Sequence, residues 1–182
     1  MAELLTKKEQ KELLRIARDT IVGYVSTGKQ PTQVCGSAAL NAETGCFVTI
    51  KQQGQLRGCI GNFESDQPLF RLVQEMAVSA ATRDPRFYPM KPGDLEDFEL
   101  EISVLSPLEK IASVDEIRVG RHGLYIVKGN HRGVLLPQVA TEYGWDRDTF
   151  LKYTCLKAGL PEDAWGTDCD IYIFRALVFG ES

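Results

Sequence analysis

The sequence predicts an α+β fold with antiparallel sheet, and three observations carry that expectation. Helical and strand patterns alternate without the regular strand–helix–strand rhythm of a parallel sheet. Two stretches, "GCFVTIKQQGQLRGCIGNF" and "GLYIVKGNHRGVLLP", read as hairpins around Gln53-Gly54 and Gly129-Asn130. The segment "DFELEISVLSP" alternates strictly, with Phe98, Leu100, Ile102 and Val104 on one face and Glu99, Glu101 and Ser103 on the other.

The remaining elements follow in order. "TKKE" at residues 6–9 is a capping box, with Thr6 as N-cap and Glu9 reaching back. Leu13, Ile16, Ala17, Ile21, Tyr24 and Val25 then recur at helical spacing, and Gly28 can end the helix. "KQPTQVCGSAAL" is a loop. After the first hairpin, Pro68 opens a second helix whose Leu69, Leu72, Val73, Met76, Ala77 and Ala80 form one buried stripe. Pro85, Pro89 and Pro92 turn "TRDPRFYPMKPGD" into an ordered loop, because each removes a donor. Beyond the second hairpin, Pro137 to Tyr143 is a short helix, Asp146 caps another, and Gly159 closes that one. "CDIYIFRALVF" reads as one final strand.

Composition excludes several function classes. A chain of 182 residues is one ordinary domain or two small lobes, and buries roughly 70% of its unfolded surface. Its net charge of −4 speaks against nucleic acid, since Lys7, Lys8 and Lys11 are its only basic cluster. Five cysteines without C-x-x-C spacing read as free thiols of a reducing compartment. Cysteines and the two histidines, His122 and His131, are scattered and lack zinc spacing, so neither metal nor cofactor is expected. A charged, capped helix follows Met1 in place of an apolar leader, and no apolar run approaches the ~20 residues of a membrane span. The expected location is cytoplasmic, with no membrane association.

The hexapeptide "LRGCIG", followed in order by "AATRDPRFYPM", "LEISVLSP", "HGLYIV", "GVLLPQVATEYGWD", "FLKYTCLKAGL" and Trp165, resembles the AMMECR family. Prokaryotic members are called AmmeMemoRadiSam system protein A. The resemblance runs from the first helix to the C-terminus and implies a single AMMECR-type domain, residues 1–182, made of two subdomains. The larger, residues 1–107 and 166–182, would be an antiparallel sheet flanked by helices and built from both termini. The smaller, residues 108–165, would be an inserted α+β lobe, with the hexapeptide facing a cleft between the two. The family's molecular activity is not established. Its association with Memo-type and radical S-adenosylmethionine proteins implies protein partners without supplying a reaction.

Within the hexapeptide, Cys59 reads either as a nucleophile, which needs a nearby cation or base, or as a structural thiol. Arg57 lies two residues away and is expected on the same strand face. It is placed either to stabilise a thiolate or to pair with Glu99 or Glu101. A two-residue loop at Gln53-Gly54 puts Cys59 opposite Val48 and Arg57 opposite Ile50. A three-residue loop puts them opposite Phe47 and Thr49. Gly58 and Gly61 permit close approach of a backbone or ligand, and Leu56 and Ile60 complete the motif. Asp84 can cap or pair with Arg83 or Arg86, in a loop that is either structural or a recognition loop. Arg57, Cys59, Glu101 and Ser103 would form one polar cluster on adjacent strands. The favoured reading is a module binding a protein or other large partner at the cleft. The alternative is a Cys59-dependent acyl or thiol transfer enzyme, so whether the chain is an enzyme stays open.

Overall fold

A computed structural model describes residues 4–181; Met1, on which the reading of the N-terminus rests, lies outside them. The described residues form an α+β fold with two antiparallel sheets and four α-helices, as the patterns predict. They divide into two compact units. One holds the described residues up to Leu105 and from Leu177 on, and the other is Ser106–Ala176.

The first unit begins with α1 (Lys7–Thr27). Its capping box is complete: Thr6 Oγ1 accepts the Glu9 N–H at 3.3 Å, and Glu9 accepts the Thr6 N–H at 2.8 Å. Gly28 ends the helix at a φ of 74°, which glycine adopts without strain. The sheet contains β1 (Cys46–Gln52), β2 (Gln55–Asn62), β3 (Glu99–Leu105) and β8 (Ala176–Gly180) in the order β2-β1-β3-β8. Helix α2 (Leu69–Thr82) runs between β2 and β3 in sequence. Leu13 and Ile16 of α1, Leu72 and Val73 of α2, and Val48 and Ile102 of the sheet are fully buried in one core. Each such side chain contributes about 1.5–3 kcal/mol by leaving water. Arg18 of α1 fastens the last strand to this core. Its guanidinium donates to Glu181 at 2.6 and 2.7 Å and to the Phe98 carbonyl at 2.6 Å, and lies 4.0 Å over the Phe98 ring.

The second unit has the sheet order β4-β7-β5-β6, with β4 (Glu109–Lys110), β5 (Gly123–Lys128), β6 (His131–Leu135) and β7 (Asp170–Phe174). The β5–β6 hairpin turns at Gly129-Asn130 as expected. Helices α3 (Pro137–Glu142) and α4 (Arg147–Lys157) complete it, α4 capped by Asp146 accepting the Thr149 N–H at 2.8 Å. Leu124, Ile126, Phe150, Leu151 and Cys155 form its core, with Trp145 and Trp165 packed against it.

One expectation fails here. The stretch "CDIYIFRALVF" is two strands, β7 and β8, in different sheets. Arg175 separates them, its N–H donating to Ser106 Oγ and its carbonyl accepting from the Ser106 N–H. Residues 166–176 therefore group with the second unit and not, as expected, with the larger one. The alternation of Ile171, Ile173, Leu177 and Phe179 keeps one phase through Arg175, so nothing in the pattern marks the break. No helix among the described residues is long and apolar enough to cross a membrane.

The approach of α2 to the sheet depends on Gly58, where a Cβ would collide with the Ala80 backbone carbonyl. Gly58→Ala is therefore expected to destabilise by about 1–3 kcal/mol, read as a Tm drop of roughly 2–4 °C per kcal/mol. Gly36→Ala, where a Cβ meets nothing within 4 Å, should leave Tm unchanged or slightly raised. Equal Tm values for the two variants would contradict this packing.

Candidate functional site

The hexapeptide occupies β2, an edge strand, and its two faces have different duties. Gln53 (φ 52°) and Gly54 (φ 75°) form a two-residue turn of the kind that matches strand twist. The register then slips: Lys51 opposes Leu56, but Ile50 opposes Gly58. Arg57 is the extra residue of a β-bulge. Cys59 therefore pairs with Thr49 and Gly61 with Phe47, a register that neither simple loop length produces. Gly58 and Ile60 turn inward, Gly58 beneath α2 and Ile60 against the core. Leu56, Cys59 and Gly61 share the outward face with their β1 partners Lys51, Thr49 and Phe47.

The bulge overturns the expected Arg57–Cys59 partnership, because an added residue breaks the two-residue alternation. Arg57 pairs with Asp94, 3.8 Å away, and its Nη1 is buried without a hydrogen-bond partner. Glu101 pairs with Lys51 at 3.1 Å. The expected cluster of Arg57, Cys59, Glu101 and Ser103 on adjacent strands does not form, because β1 lies between β2 and β3. Instead, three rows cross the outward face: Leu56–Lys51–Glu99, Cys59–Thr49–Glu101 and Gly61–Phe47–Ser103. The Thr49 hydroxyl donates to Cys59 Sγ at 3.2 Å. Gly61 serves packing, since a Cβ there would enter the Phe47 ring.

Asp84 and Arg86 close the open edge of β2. The Cys59 N–H, which points away from β1, donates to Asp84 Oδ2 at 2.9 Å. Arg86 grips the same carboxylate through Nε at 3.0 Å and Nη2 at 2.7 Å, and Nη2 lies 3.5 Å from the Cys59 carbonyl. Together the pair offers the edge one acceptor and one donor, as a neighbouring strand would. Asp84 is 3% exposed. The Arg86 guanidinium, aided by the Cys59 and Arg86 N–H groups, holds its carboxyl well below the usual carboxylate range. The cation beside Cys59 is thus Arg86, not Arg57.

Each histidine is engaged within the second unit. His122 Nδ1 accepts the Arg118 N–H at 3.0 Å, and His131 Nδ1 lies 3.2 Å from the Ala158 carbonyl. Among the described residues no group of three or more His, Cys, Asp or Glu side chains could hold a metal ion. Burial pushes the Cys46, Cys155 and Cys169 thiols up. Reasoning from sequence named Phe47 and Thr49 only as possible cross-strand partners and missed Lys51. Their alternation was visible in β1, but that β3 pairs with β1 was not.

Replacing Asp84 by Asn should weaken the charge-assisted bonds and lower stability by about 1–3 kcal/mol. The folded carboxyl titrates below its unfolded value. Its contribution is therefore complete above about pH 4 and is lost as pH falls from there toward the folded value. The Tm gap between wild type and Asp84→Asn should narrow on acidification below about pH 4. A gap independent of pH would contradict the ionised clip.

Comparison with known proteins agrees with this architecture. The AMMECR1 family model matches residues 14–179. Protein MK0488 of Methanopyrus kandleri is 45% identical over 191 aligned positions, covering 100% of this chain and 92% of that protein. A protein of Thermococcus onnurineus is 44% identical, covering 93% of this chain and 88% of its own length. The crystal structure of an uncharacterised protein of Pyrococcus horikoshii, PH0010, is 37% identical. It superposes with a TM-score of 0.85 over 99% of this chain and 95% of that one. The chain belongs to the AMMECR1 family.

Proposed function

We propose that the protein is a binding module whose outward face on the β2–β1–β3 sheet docks a protein partner. The observation that carries this reading is the character of that face. The inward face supplies the core under α1 and α2. The outward face of a one-sided antiparallel sheet is ordinarily polar. Here it mixes half-buried Phe47 and Cys59, Leu56 at 42% exposure and, on β8, Val178 at 46% exposure with the Lys51–Glu101 pair. Apolar anchors rimmed by charge suit a protein surface. The Asp84–Arg86 clip supports the reading by fixing the backbone beneath Cys59. The candidate partners are the Memo-type and radical S-adenosylmethionine proteins that the family resemblance implies.

A second reading is favoured by one specific contact. The Thr49 hydroxyl donates to Cys59 Sγ at 3.2 Å, and the Arg86 guanidinium stands nearby. Cys59 would then act as the nucleophile of an acyl or thiol transfer. Carbamidomethylation rates separate the two readings. A Cys59 that reacts no faster than exposed model thiols at neutral pH removes the second.

The binding reading is tested by calorimetry with purified Memo-type and radical S-adenosylmethionine proteins from the same genome. Leu56→Glu and Thr49→Arg, both on the outward face, should keep the wild-type Tm within a few degrees and weaken binding about tenfold or more, the effect of losing one anchor. No binding by either protein, or equal binding by wild type and both variants, would overturn it.

A further inference from the structure

A second site lies away from the hexapeptide, where the extended segment after α1 crosses the first turns of α2. A hollow of about 370 Å³ opens there, with Gln33, Gln67, Arg71, Gln74 and Glu75 in its wall. That volume falls within the range of small-molecule sites. Gln74 is only 3% exposed. Its Nε2 donates to Thr20 Oγ1 at 3.1 Å and to the Pro31 carbonyl at 3.0 Å. Because the Pro31 carbonyl can only accept, the amide orientation is fixed. Its Oε1 is the remaining acceptor of a buried side chain that lines the hollow.

Arg71 and Glu75 stand four residues apart on the same helix, so their side chains rise from one face. Both are exposed and both line the hollow. They make no ion pair with each other. The order of cation before anion is the weaker arrangement for such a pair. Among the described residues Arg71 meets only the Phe70 ring, 5.8 Å away. Glu75 accepts from Gln67 Nε2 through Oε2, which leaves Oε1 open. A free guanidinium, an open carboxylate oxygen and a fixed carbonyl acceptor therefore border one small space. A second hollow of about 420 Å³ shares Gln33, Gln67 and Arg71 with the first and adds Val34, Cys35, Pro68 and Phe70.

We propose that these joined hollows bind a free α-amino acid as its zwitterion. The ligand carboxylate meets the Arg71 guanidinium, the geometry in which charge-assisted hydrogen bonds are strongest. The ligand ammonium donates to Glu75 Oε1 and Gln74 Oε1. The side chain lies in the second hollow against Val34, Pro68 and Phe70, which selects apolar amino acids. The site is separate from the proposed docking face and does not depend on it.

Thermal shift and calorimetric titration of the full chain with L-leucine test the proposal, with N-acetyl-leucine and leucinamide as analogues that each lack one charge. Leucine should raise Tm saturably. Each analogue, and each of the exposed-position variants Arg71→Gln and Glu75→Gln, should bind about tenfold or more weakly, as expected for losing one bond to a charged group. No Tm shift with leucine or any other proteinogenic amino acid would overturn the proposal. So would analogues that bind as tightly as leucine, or variants that bind like wild type.

Discussion

The hydrogen bond from the Cys59 N–H to Asp84 is the contact on which the hexapeptide's placement depends. An edge strand presents unpaired donors and acceptors, and these invite slippage or another chain. Here the unpaired donor at the centre of the motif is taken by a buried carboxylate, and that carboxylate is held in turn by Arg86. The geometry traces back to a missing side chain. Gly58 lets the Ala80 carbonyl of α2 rest on the strand. The helix then ends at Thr82, and Asp84 follows within reach of the β2 edge. The glycine and the aspartate thus act together, although 26 positions separate them in the chain.

This arrangement alters what the motif residues are for. Half of the hexapeptide is architecture: Gly58 and Ile60 face the core, and Gly61 makes room for the Phe47 ring. Arg57 is diverted by the bulge to Asp94. What remains outward is Leu56 and Cys59, beside Thr49 and the Lys51–Glu101 pair. Such a surface sets an exposed leucine beside one thiol with a hydroxyl donor. The two functional readings differ in whether that thiol is contact or chemistry.

Much of the fold was legible because its signals are local. The capping box at Thr6 and Glu9, the stripe of α2, both hairpin turns and the alternation of β3 each follow from a few adjacent residues. The failures were non-local. A bulge at Arg57 adds one residue without any proline or unusual turn signal, so the register could not be chosen from sequence. Arg175 interrupts a strand whose alternation stays in phase on both sides, so two strands in different sheets read as one. Asp84 was visible as a cap or as the partner of Arg83 or Arg86, but the choice of Arg86 and the shared target, the Cys59 backbone, required the path of α2. The Gln74 amide was equally hidden, since Gln74 lies off the apolar stripe and its burial comes from the distant partners Thr20 and Pro31.

Backbone hydrogen exchange at Cys59 tests the edge clip most directly. Cys59 and Gly61 present their amides along the same open edge, but only Cys59 has the Asp84 carboxylate. In the wild type the Cys59 amide should exchange far more slowly than that of Gly61, and Asp84→Ala should bring the two rates together. Equal rates in the wild type, or Cys59 protection that survives Asp84→Ala, would contradict the clip.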